Sequence, residues 1–396
     1  MKKNITNTAI DIGIITNAPF PQGVAATNRI ISYVKALIHR DVGVKVYITK
    51  PTEKSGNIIN RNTEGFFEAI EYEYLSDSTI WPQNKSKIFK LGVLIKGYIK
   101  LIVKVINERP GIIITYTKDF TTKLLLIVLK RILNFNLFFE ETEYPNILSK
   151  KTNKFYKKLY LKLYKWADGM IVMTNELSDY YSKLGVMNLF NLPMTVDSSR
   201  FSESSHLITP KKYFIYVGGN GGFVRDGVFN IIQGFGLICN SYPDYRLYIV
   251  GAIEKSASNF LIINNYIKEQ NMTDKVLFLG SKLPEEIPLL LMQAKGIIMA
   301  PPADFPSGGF PTKLGEFLAS GRPVICTKVS EIPLYLNSDN SFLVNPKDIN
   351  GIRDAVEYII DNPENSNKVG LNGKHLAETT FNPETYINKL LNFLNL

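Results

Sequence analysis

Short apolar runs alternate along this chain with segments in which apolar residues recur every three or four positions. The first run, residues 9–16, ends in a loop rich in Pro and Gly. A helical pattern follows, with Ile30, Val34 and Leu37 on one face, and then a second apolar run, Val44–Ile48. This order is the β-loop-α-β unit from which parallel sheets are built. The pattern therefore predicts that the chain opens with a parallel α/β domain.

The alternation restarts once, after a polar, Ser-rich segment at residues 197–205. Two such arrays are typical of an α/β fold with two Rossmann-like domains facing each other across a cleft. Further strands are predicted at residues 111–115, 136–140, 169–174, 213–217, 245–250, 276–279, 296–299 and 323–327. The predicted domains are residues 1–197 and 212–380, with a linker at 198–211 and a last helix, 381–396, that would cross back to the first domain.

The composition is that of a folded chain of two or three domains, since 45% of the 396 residues are hydrophobic and 21% are charged. Two cysteines, Cys239 and Cys326, and three dispersed histidines exclude a disulfide scaffold and a structural zinc site. We expect no signal peptide and no transmembrane span, because polar residues interrupt the N-terminal apolar stretch and lysines interrupt the longest one, residues 91–106. These features favour a cytoplasmic protein.

The net charge of +10 is concentrated in the first half of the chain. Residues 1–200 contain 29 Lys and Arg against 17 Asp and Glu, whereas the rest contain 17 against 19. One predicted helix has its lysines within a single arc and Phe155, Leu159 and Trp166 on the other side. Its lysines are Lys150, Lys151, Lys154, Lys157, Lys158, Lys162 and Lys165.

A second cationic stretch, residues 85–104, contains six lysines and no acid. Basic amphipathic helices suit an anionic membrane surface, although ordinary helices with solvated lysines would show the same pattern. No nucleic-acid-binding module is present. We therefore predict that the first domain binds peripherally to the inner face of a membrane, and that nucleic acid is not a partner.

The richest segment for chemistry is residues 306–325. Gly308 and Gly309 let another molecule approach the backbone, and Pro311 suits the first turn of a helix. The N–H groups of that first turn are a natural seat for phosphate. Glu316, further along the helix, could accept hydrogen bonds from sugar hydroxyls. A loop and helix that bind nothing remain the alternative.

This segment resembles the signature of family 4 glycosyltransferases, which have the GT-B fold and use nucleotide-sugar donors. The match covers residues 309–311 and the second Glu of the signature, Glu316, whereas Gly308 replaces the first Glu. The resemblance implies that Glu316 binds the donor ribose. The sugar contact of the missing Glu would pass to Asp304 or to backbone amides. The implied donor-binding residues here are Gly308, Gly309, Phe310, Pro311, Thr312, Lys313 and Glu316.

Two glycine-containing loops resemble the same family. Residues 217–228 are similar to the loop after the first strand of the donor domain, in which Gly219 would approach the donor and Arg225 would hold its diphosphate. An always-charged, bidentate guanidinium suits that role, although a solvated turn residue is the alternative. Residues 19–29 are similar to the N-terminal loop, whose glycine, Gly23, would face the donor phosphates across the cleft.

Residues 138–145 end a strand with three carboxylates and resemble the acceptor-side acidic loop of related polysaccharide transferases. Together with Arg225, the predicted catalytic residues are Glu141 and Glu143, with Glu140 as the third member of the cluster. The sequence contains no Asp-x-Asp pair. We therefore expect no metal ion and no cofactor beyond the nucleotide-sugar co-substrate.

The sequence as a whole is thus typical of a retaining glycosyltransferase that moves a sugar from a nucleotide diphosphate to a glycan or lipid-linked acceptor. Cell-surface polysaccharide synthesis is the expected context. Two alternatives remain at this point, a nucleotide-sugar epimerase of the same fold and a catalytically degenerate sugar-binding or scaffold protein. Gly308 keeps the second alternative open.

Overall fold

The computed structural model describes residues 10–23, 25–56, 58–145, 153–201, 208–218, 225–252, 258–303 and 308–396. The chain divides into two compact units. The first comprises Met1–Thr195 and Pro383–Leu396, and the second comprises Val196–Asn382. No helix within the described residues is long and apolar enough to cross a membrane.

The first unit is built on an eight-stranded sheet of order β3-β4-β2-β1-β5-β6-β7-β8. All neighbours pair in parallel except β3 and β4. The strands are β1 Ile12–Thr16, β2 Val44–Ile48, β3 Glu64–Phe67, β4 Ile70–Tyr74, β5 Ile112–Tyr116, β6 Asn136–Glu141, β7 Gly169–Val172 and β8 Leu189–Asn191.

Helices connect these strands, and most begin at a residue whose side chain accepts a hydrogen bond from the first turn, for example Ser86 and Asp119. The helices are α1 Ala25–Ile38, α2 Lys87–Glu108, α3 Phe120–Leu133, α4 Lys154–Leu163 and α5 Asn175–Lys183. The last helix of the chain, Glu384–Leu394, also belongs to this unit and buries Ile387 and Leu390 in the same core as Ile30.

The second unit contains a fully parallel six-stranded sheet of order β11-β10-β9-β12-β13-β14. Its strands are β9 Tyr213–Val217, β10 Arg246–Val250, β11 Val276–Gly280, β12 Gly296–Met299, β13 Val324–Thr327 and β14 Phe342–Val344. Its helices are α6 Val228–Gly236, α7 Ser258–Glu269, α8 Ile287–Met292, α9 Lys313–Ala319, α10 Ile332–Tyr335, α11 Ile349–Asp361 and α12 Pro363–Thr379. The last helix of the chain, Glu384–Leu394 of the first unit, is α13.

Each sheet has a point at which the chain reverses the direction in which it adds strands. In the second unit the reversal lies between β9 and β12, and in the first it lies between β1 and β5. The loops at the carboxyl ends of these strands diverge there and leave a crevice in which parallel sheets bind ligands. In the second unit those loops contain Arg225 and residues 308–312, the segments with the donor-binding prediction.

Part of the predicted linker is held by the second unit. The Lys211 N–H donates to the carbonyl of Gln293 over 2.8 Å, and the Arg322 guanidinium donates to the carbonyl of Ile208. At the start of the unit, the Val196 N–H donates to the carbonyl of Phe381 over 2.9 Å. Residues 202–207 of the predicted linker lie outside the described residues.

Candidate functional site

An ion pair joins the two donor-side segments of the second unit. The Lys313 ammonium, on the first turn of α9, contacts the carboxylate of Asp226, which follows the glycine-rich loop. The Tyr216 hydroxyl donates to the same carboxylate over 2.5 Å. Burial and the adjacent Asp226 carboxylate raise the pKa of Tyr216, so that its hydroxyl stays protonated and acts as a donor. The loops after β9 and β12 therefore meet at one edge of the sheet.

Close packing at Gly227 fixes the backbone next to Arg225. Gly227 has φ +65°, and a Cβ there would overlap the carbonyl of Ala300 at the end of β12. The Ala300 N–H also donates to the carbonyl of Asp226 over 3.2 Å. Arg225 itself is exposed at this anchored turn. Gly219, predicted to approach the donor, lies outside the described residues.

Residues 308–312 form a turn that is held in place by a hydrogen bond to Gly309 and by packing of the Phe310 ring. Gly308 has φ +80°, a conformation that favours glycine, which gives a backbone reason for Gly at the position where the resembling family has Glu. The Ser330 hydroxyl donates to the carbonyl of Gly309 over 2.5 Å. The buried Phe310 ring packs against Tyr335 and Phe381, with centroids 5.7 and 5.9 Å away. Phe310 thus supports the turn with its side chain.

The end of the turn leads directly into α9. Pro311 is buried, and its carbonyl accepts the N–H of Leu314 over 2.9 Å. Thr312 occupies the N-cap position and makes no side-chain capping hydrogen bond. Its hydroxyl is therefore not committed to the helix start. Pro311 and Thr312 consequently differ in role, since only Thr312 offers a polar side chain at this edge.

Glu316 accepts a hydrogen bond from Arg200, and the two side chains form an ion pair. Arg200 also donates to the carbonyl of Pro284 over 2.9 Å. Both side chains are partly exposed, Arg200 at 26% and Glu316 at 17%, so the pair remains accessible to a ligand. Sequence reasoning missed Arg200 because it lies in the polar segment interpreted as a linker.

In the first unit, hydrogen bonds hold the loop that contains Gly23. The Thr27 hydroxyl donates to the carbonyl of Pro19 over 2.5 Å, and Phe20 and Tyr74 exchange two hydrogen bonds of 3.0 and 2.9 Å. A Cβ on Gly23 would lie 2.7 Å from the Thr27 hydroxyl oxygen and 2.8 Å from the carbonyl oxygen of Pro19. Glycine is therefore required sterically here, at the carboxyl end of β1.

Two of the three predicted carboxylates lie in the interior of the first unit. Glu140 accepts hydrogen bonds from the Arg29 guanidinium over 2.6 Å and from the Tyr33 hydroxyl over 2.9 Å. Glu141 forms an ion pair with the Lys123 ammonium and accepts a hydrogen bond from the Tyr164 hydroxyl over 3.1 Å. Both glutamates are only 1% exposed. The predicted catalytic Glu141 is therefore buried and ion-paired in this structure, and its role toward an acceptor hydroxyl stays a prediction.

Glu143 is the member of the cluster that reaches the surface. Its side chain is 27% exposed, and its Oε2 accepts a hydrogen bond from the Lys118 ammonium over 2.8 Å. Lys118 follows β5, and the neighbouring Thr117 accepts the Asn17 side-chain amide over 2.7 Å at the end of β1. Glu143 therefore lies by the crevice where β1 and β5 diverge. Lys118 is a candidate that the sequence analysis missed.

Among the described residues, no group of three or more His, Cys, Asp and Glu side chains is arranged to hold a metal ion. Within the part of the chain that the structure describes, the cationic side chains at the donor-side edge of the second unit include Arg225, Lys313 and Arg200. Such side chains, with backbone N–H groups, can stabilise a departing phosphate electrostatically.

Residues 198–376 match the family model described as "Glycosyl transferases group 1". A search of curated proteins finds no match. Solved structures similar to this chain include sucrose-phosphate synthase from Thermosynechococcus elongatus. It has 17% identity and a TM-score of 0.74 over 97% of this chain and 98% of that chain. HepE from Anabaena, solved with UDP and glucose, has 15% identity and a TM-score of 0.71 over 98% and 99%.

TarM from S. aureus, whose structure contains UDP, has 11% identity and a TM-score of 0.69 over 98% of this chain and all of that chain. At such identities the likeness shows the fold. It confirms the predicted fold class, which is α/β with two parallel-sheet units of the GT-B type.

Proposed function

We propose that this chain is a group 1 glycosyltransferase, on the match of residues 198–376 to that family model, and specifically a retaining, metal-independent hexosyltransferase acting on a glycan or lipid-linked acceptor. The observation that carries the proposal is the ion pair between Asp226 and Lys313. It joins the loop of Arg225 to the turn at residues 308–312, so both can act on one donor diphosphate. HepE and TarM were solved with UDP, which supports a nucleoside diphosphate as the leaving group.

The proposed reaction begins with cleavage of the bond between the sugar and the donor diphosphate. As the bond to the sugar breaks, negative charge grows on the leaving phosphate, and a preorganised cation lowers the barrier most at that stage. Arg225 supplies the cation, and the amides of the turn at residues 308–312 add N–H donors. The sugar carbon becomes oxocarbenium-like, and the acceptor hydroxyl oxygen attacks it on the face that the phosphate leaves, which retains the configuration. The hydroxyl proton passes to the departing phosphate oxygen.

Glu143 is the proposed acceptor-side group. Its carboxylate is partly exposed and held by Lys118, so it can accept a hydrogen bond from an acceptor hydroxyl and orient it. The likeness to WaaB, described as a lipopolysaccharide outer core galactosyltransferase, supports an acceptor used in cell-surface polysaccharide synthesis. We place the reaction in the cytoplasm, at the inner face of the membrane.

A donor screen tests this function. The purified chain is mixed with a panel of nucleotide sugars, beginning with UDP-sugars, and the bound donor is identified by its stabilising effect in thermal unfolding. We expect that donor to be hydrolysed slowly, and its sugar to be transferred when a lipid-linked acceptor is supplied, at a rate that EDTA does not change. Isomerisation of the donor without transfer would identify an epimerase, and binding without turnover would identify a scaffold.

Replacing Glu316 by Ala is expected to raise the donor KM by about 10- to 100-fold with little change in kcat, because ribose hydroxyls are held alike in the ground and transition states. Arg200→Ala should raise KM in the same direction, since Arg200 holds the Glu316 carboxylate. Initial-rate kinetics give both values. Glu269→Ala, an exposed acid on α7, is the control. A fall in kcat with unchanged KM would contradict the role in ribose binding.

A further inference from the structure

Helix α2 has a second apolar stripe on the side that faces solvent. Its packed side consists of Gly97, Leu101 and Val105, and Gly97 lies so close to Thr49 that a Cβ would overlap the Thr49 carbonyl. On the opposite side, six large apolar residues recur at spacings of three or four and are 42–82% exposed. They are Ile88, Leu91, Ile95, Ile99, Val103 and Ile106. Soluble helices rarely carry a second exposed stripe of this length.

Two neighbouring helices also carry exposed apolar side chains. The Tyr98 hydroxyl of α2 donates to Asp119, the N-cap of α3, over 2.7 Å, and the Phe120 ring of α3 lies 5.2 Å from that of Tyr156 on α4. These contacts place α2, α3 and α4 side by side. We call their exposed apolar residues the α2–α4 surface. Besides the six residues of α2, it contains Leu124, Val128 and Ile132 of α3, Phe155 of α4, and Trp166 in the turn that follows α4.

Cationic side chains surround this surface. Helix α2 carries five lysines and a single acid, Glu108 at its last position, and the ten residues of α4 include four lysines and no acid. Three of the α2 lysines form ion pairs with acids beside the helix, Lys96 and Lys100 with Asp77, and Lys104 with Glu73. Lys87 and Lys90 add charge at the start of the helix, and Arg131 lies over the Trp166 ring at 5.9 Å.

This combination of apolar area and charge identifies the occupant. A second copy of the chain would bring two lysine-rich surfaces together, which like-charge repulsion opposes. An anionic bilayer satisfies both features at once, because the apolar side chains enter the boundary between headgroups and acyl chains while the lysine ammonium groups stay with the anionic headgroups. The surface also extends over three helices.

We propose that the α2–α4 surface binds the face of an anionic phospholipid bilayer, with α2 lying along it. The sequence analysis placed the membrane-binding residues mainly among the lysines from Lys150 to Lys165, of which Lys150 and Lys151 lie outside the described residues. The structure gives α2 the larger apolar contribution. The inference rests on the proposed function only in that it would position the chain at a lipid-linked acceptor.

Vesicle flotation tests the proposal. The full chain is mixed with vesicles of phosphatidylglycerol and phosphatidylcholine, or of phosphatidylcholine alone. We expect strong binding to the anionic vesicles, weaker binding as salt is raised, and little binding to the neutral ones. The double variant Ile95→Ser/Ile99→Ser should bind at least about tenfold more weakly, because both side chains are exposed and would enter the bilayer boundary.

A matched variant, Leu261→Ser/Ile262→Ser, makes the same kind of change on exposed positions of α7 in the second unit and should bind like the wild-type chain. A single Ile95→Trp variant adds a spectroscopic reading, since its emission should shift to the blue and be quenched by brominated acyl chains. Thermal stabilisation by the nucleotide-sugar donor should be the same for all variants. That measurement separates failure of the membrane proposal from failure of the proposed function.

Three outcomes would overturn the proposal. The first is a wild-type chain that does not float with anionic vesicles, and the second is undiminished flotation of Ile95→Ser/Ile99→Ser. The third is a dimer in sedimentation that the same double variant dissociates, because a second copy would then cover the surface.

Discussion

Replacing Arg225 by Ala is expected to lower kcat for sugar transfer by about two to three orders of magnitude and to change the donor KM much less. The guanidinium is always charged and belongs to a turn that Gly227 fixes against the end of β12. Such a preorganised cation acts most strongly on charge that develops in the transition state. Steady-state kinetics with the donor found in the screen give kcat and KM separately.

Two further variants make this prediction specific. Arg225→Lys keeps the charge and loses the bidentate geometry, so we expect it to recover only part of the turnover. Arg353→Ala removes a guanidinium from α11, where it pairs with Asp354, and should leave both constants unchanged. Wild-type turnover by Arg225→Ala would mean that another group neutralises the leaving phosphate, and loss of turnover in EDTA would mean that a metal ion does.

The apolar pattern predicted most of the fold because the central parallel strands are buried on both faces and their sequences are continuous apolar runs, as in Ile12–Thr16. Four strands were not predicted, and each lacks that signal. In β4, Ile70–Tyr74, acids alternate with apolar and aromatic residues, and the edge strand β3, Glu64–Phe67, has only four residues and includes a glycine. The other two, β8 and β14, have three residues each and end their sheets.

The donor-side loops could be located from the sequence because topology alone places them at one edge of a parallel sheet. Their side-chain partners could not, since those pairs join distant parts of the chain. Asp226 is 87 residues from Lys313, and Arg200 is 116 residues from Glu316. Gly308 shows a further limit, because its positive φ is a property of the folded turn that a comparison of residue types does not reveal.

The burial of two members of the acidic cluster follows from the alternation of side chains between the two faces of a strand. Glu140 and Glu141 therefore point to opposite sides of β6, and each finds a buried basic partner there, Arg29 or Lys123. Lys123 is one of three cationic residues in the helix of residues 120–133, and it is the one that the fold buries. A cation in such a position requires a buried anion, and the strand end supplies it.

Glu141→Gln is accordingly expected to destabilise the first unit by about 3–5 kcal/mol, because it removes one partner of a fully buried ion pair. Burial already lowers the pKa of Lys123, and the Glu141 carboxylate is the main influence that opposes this shift. Without the carboxylate, Lys123 is either a buried unpaired cation or a neutral amine, and both states cost free energy. Urea unfolding measures the loss.

The double variant Lys123→Met/Glu141→Gln should recover much of that stability, since neither charge then remains buried without a partner.

Glu143→Gln is expected to affect activity and not stability. Its side chain is partly exposed, so stability should change little, whereas transfer should fall by about 10²–10⁴-fold if the carboxylate acts as a base toward the acceptor hydroxyl. Full transfer by Glu143→Gln would remove it from the mechanism. A stable but inactive Glu141→Gln protein would support the predicted catalytic role of Glu141, because lost stability could not then explain the loss of activity.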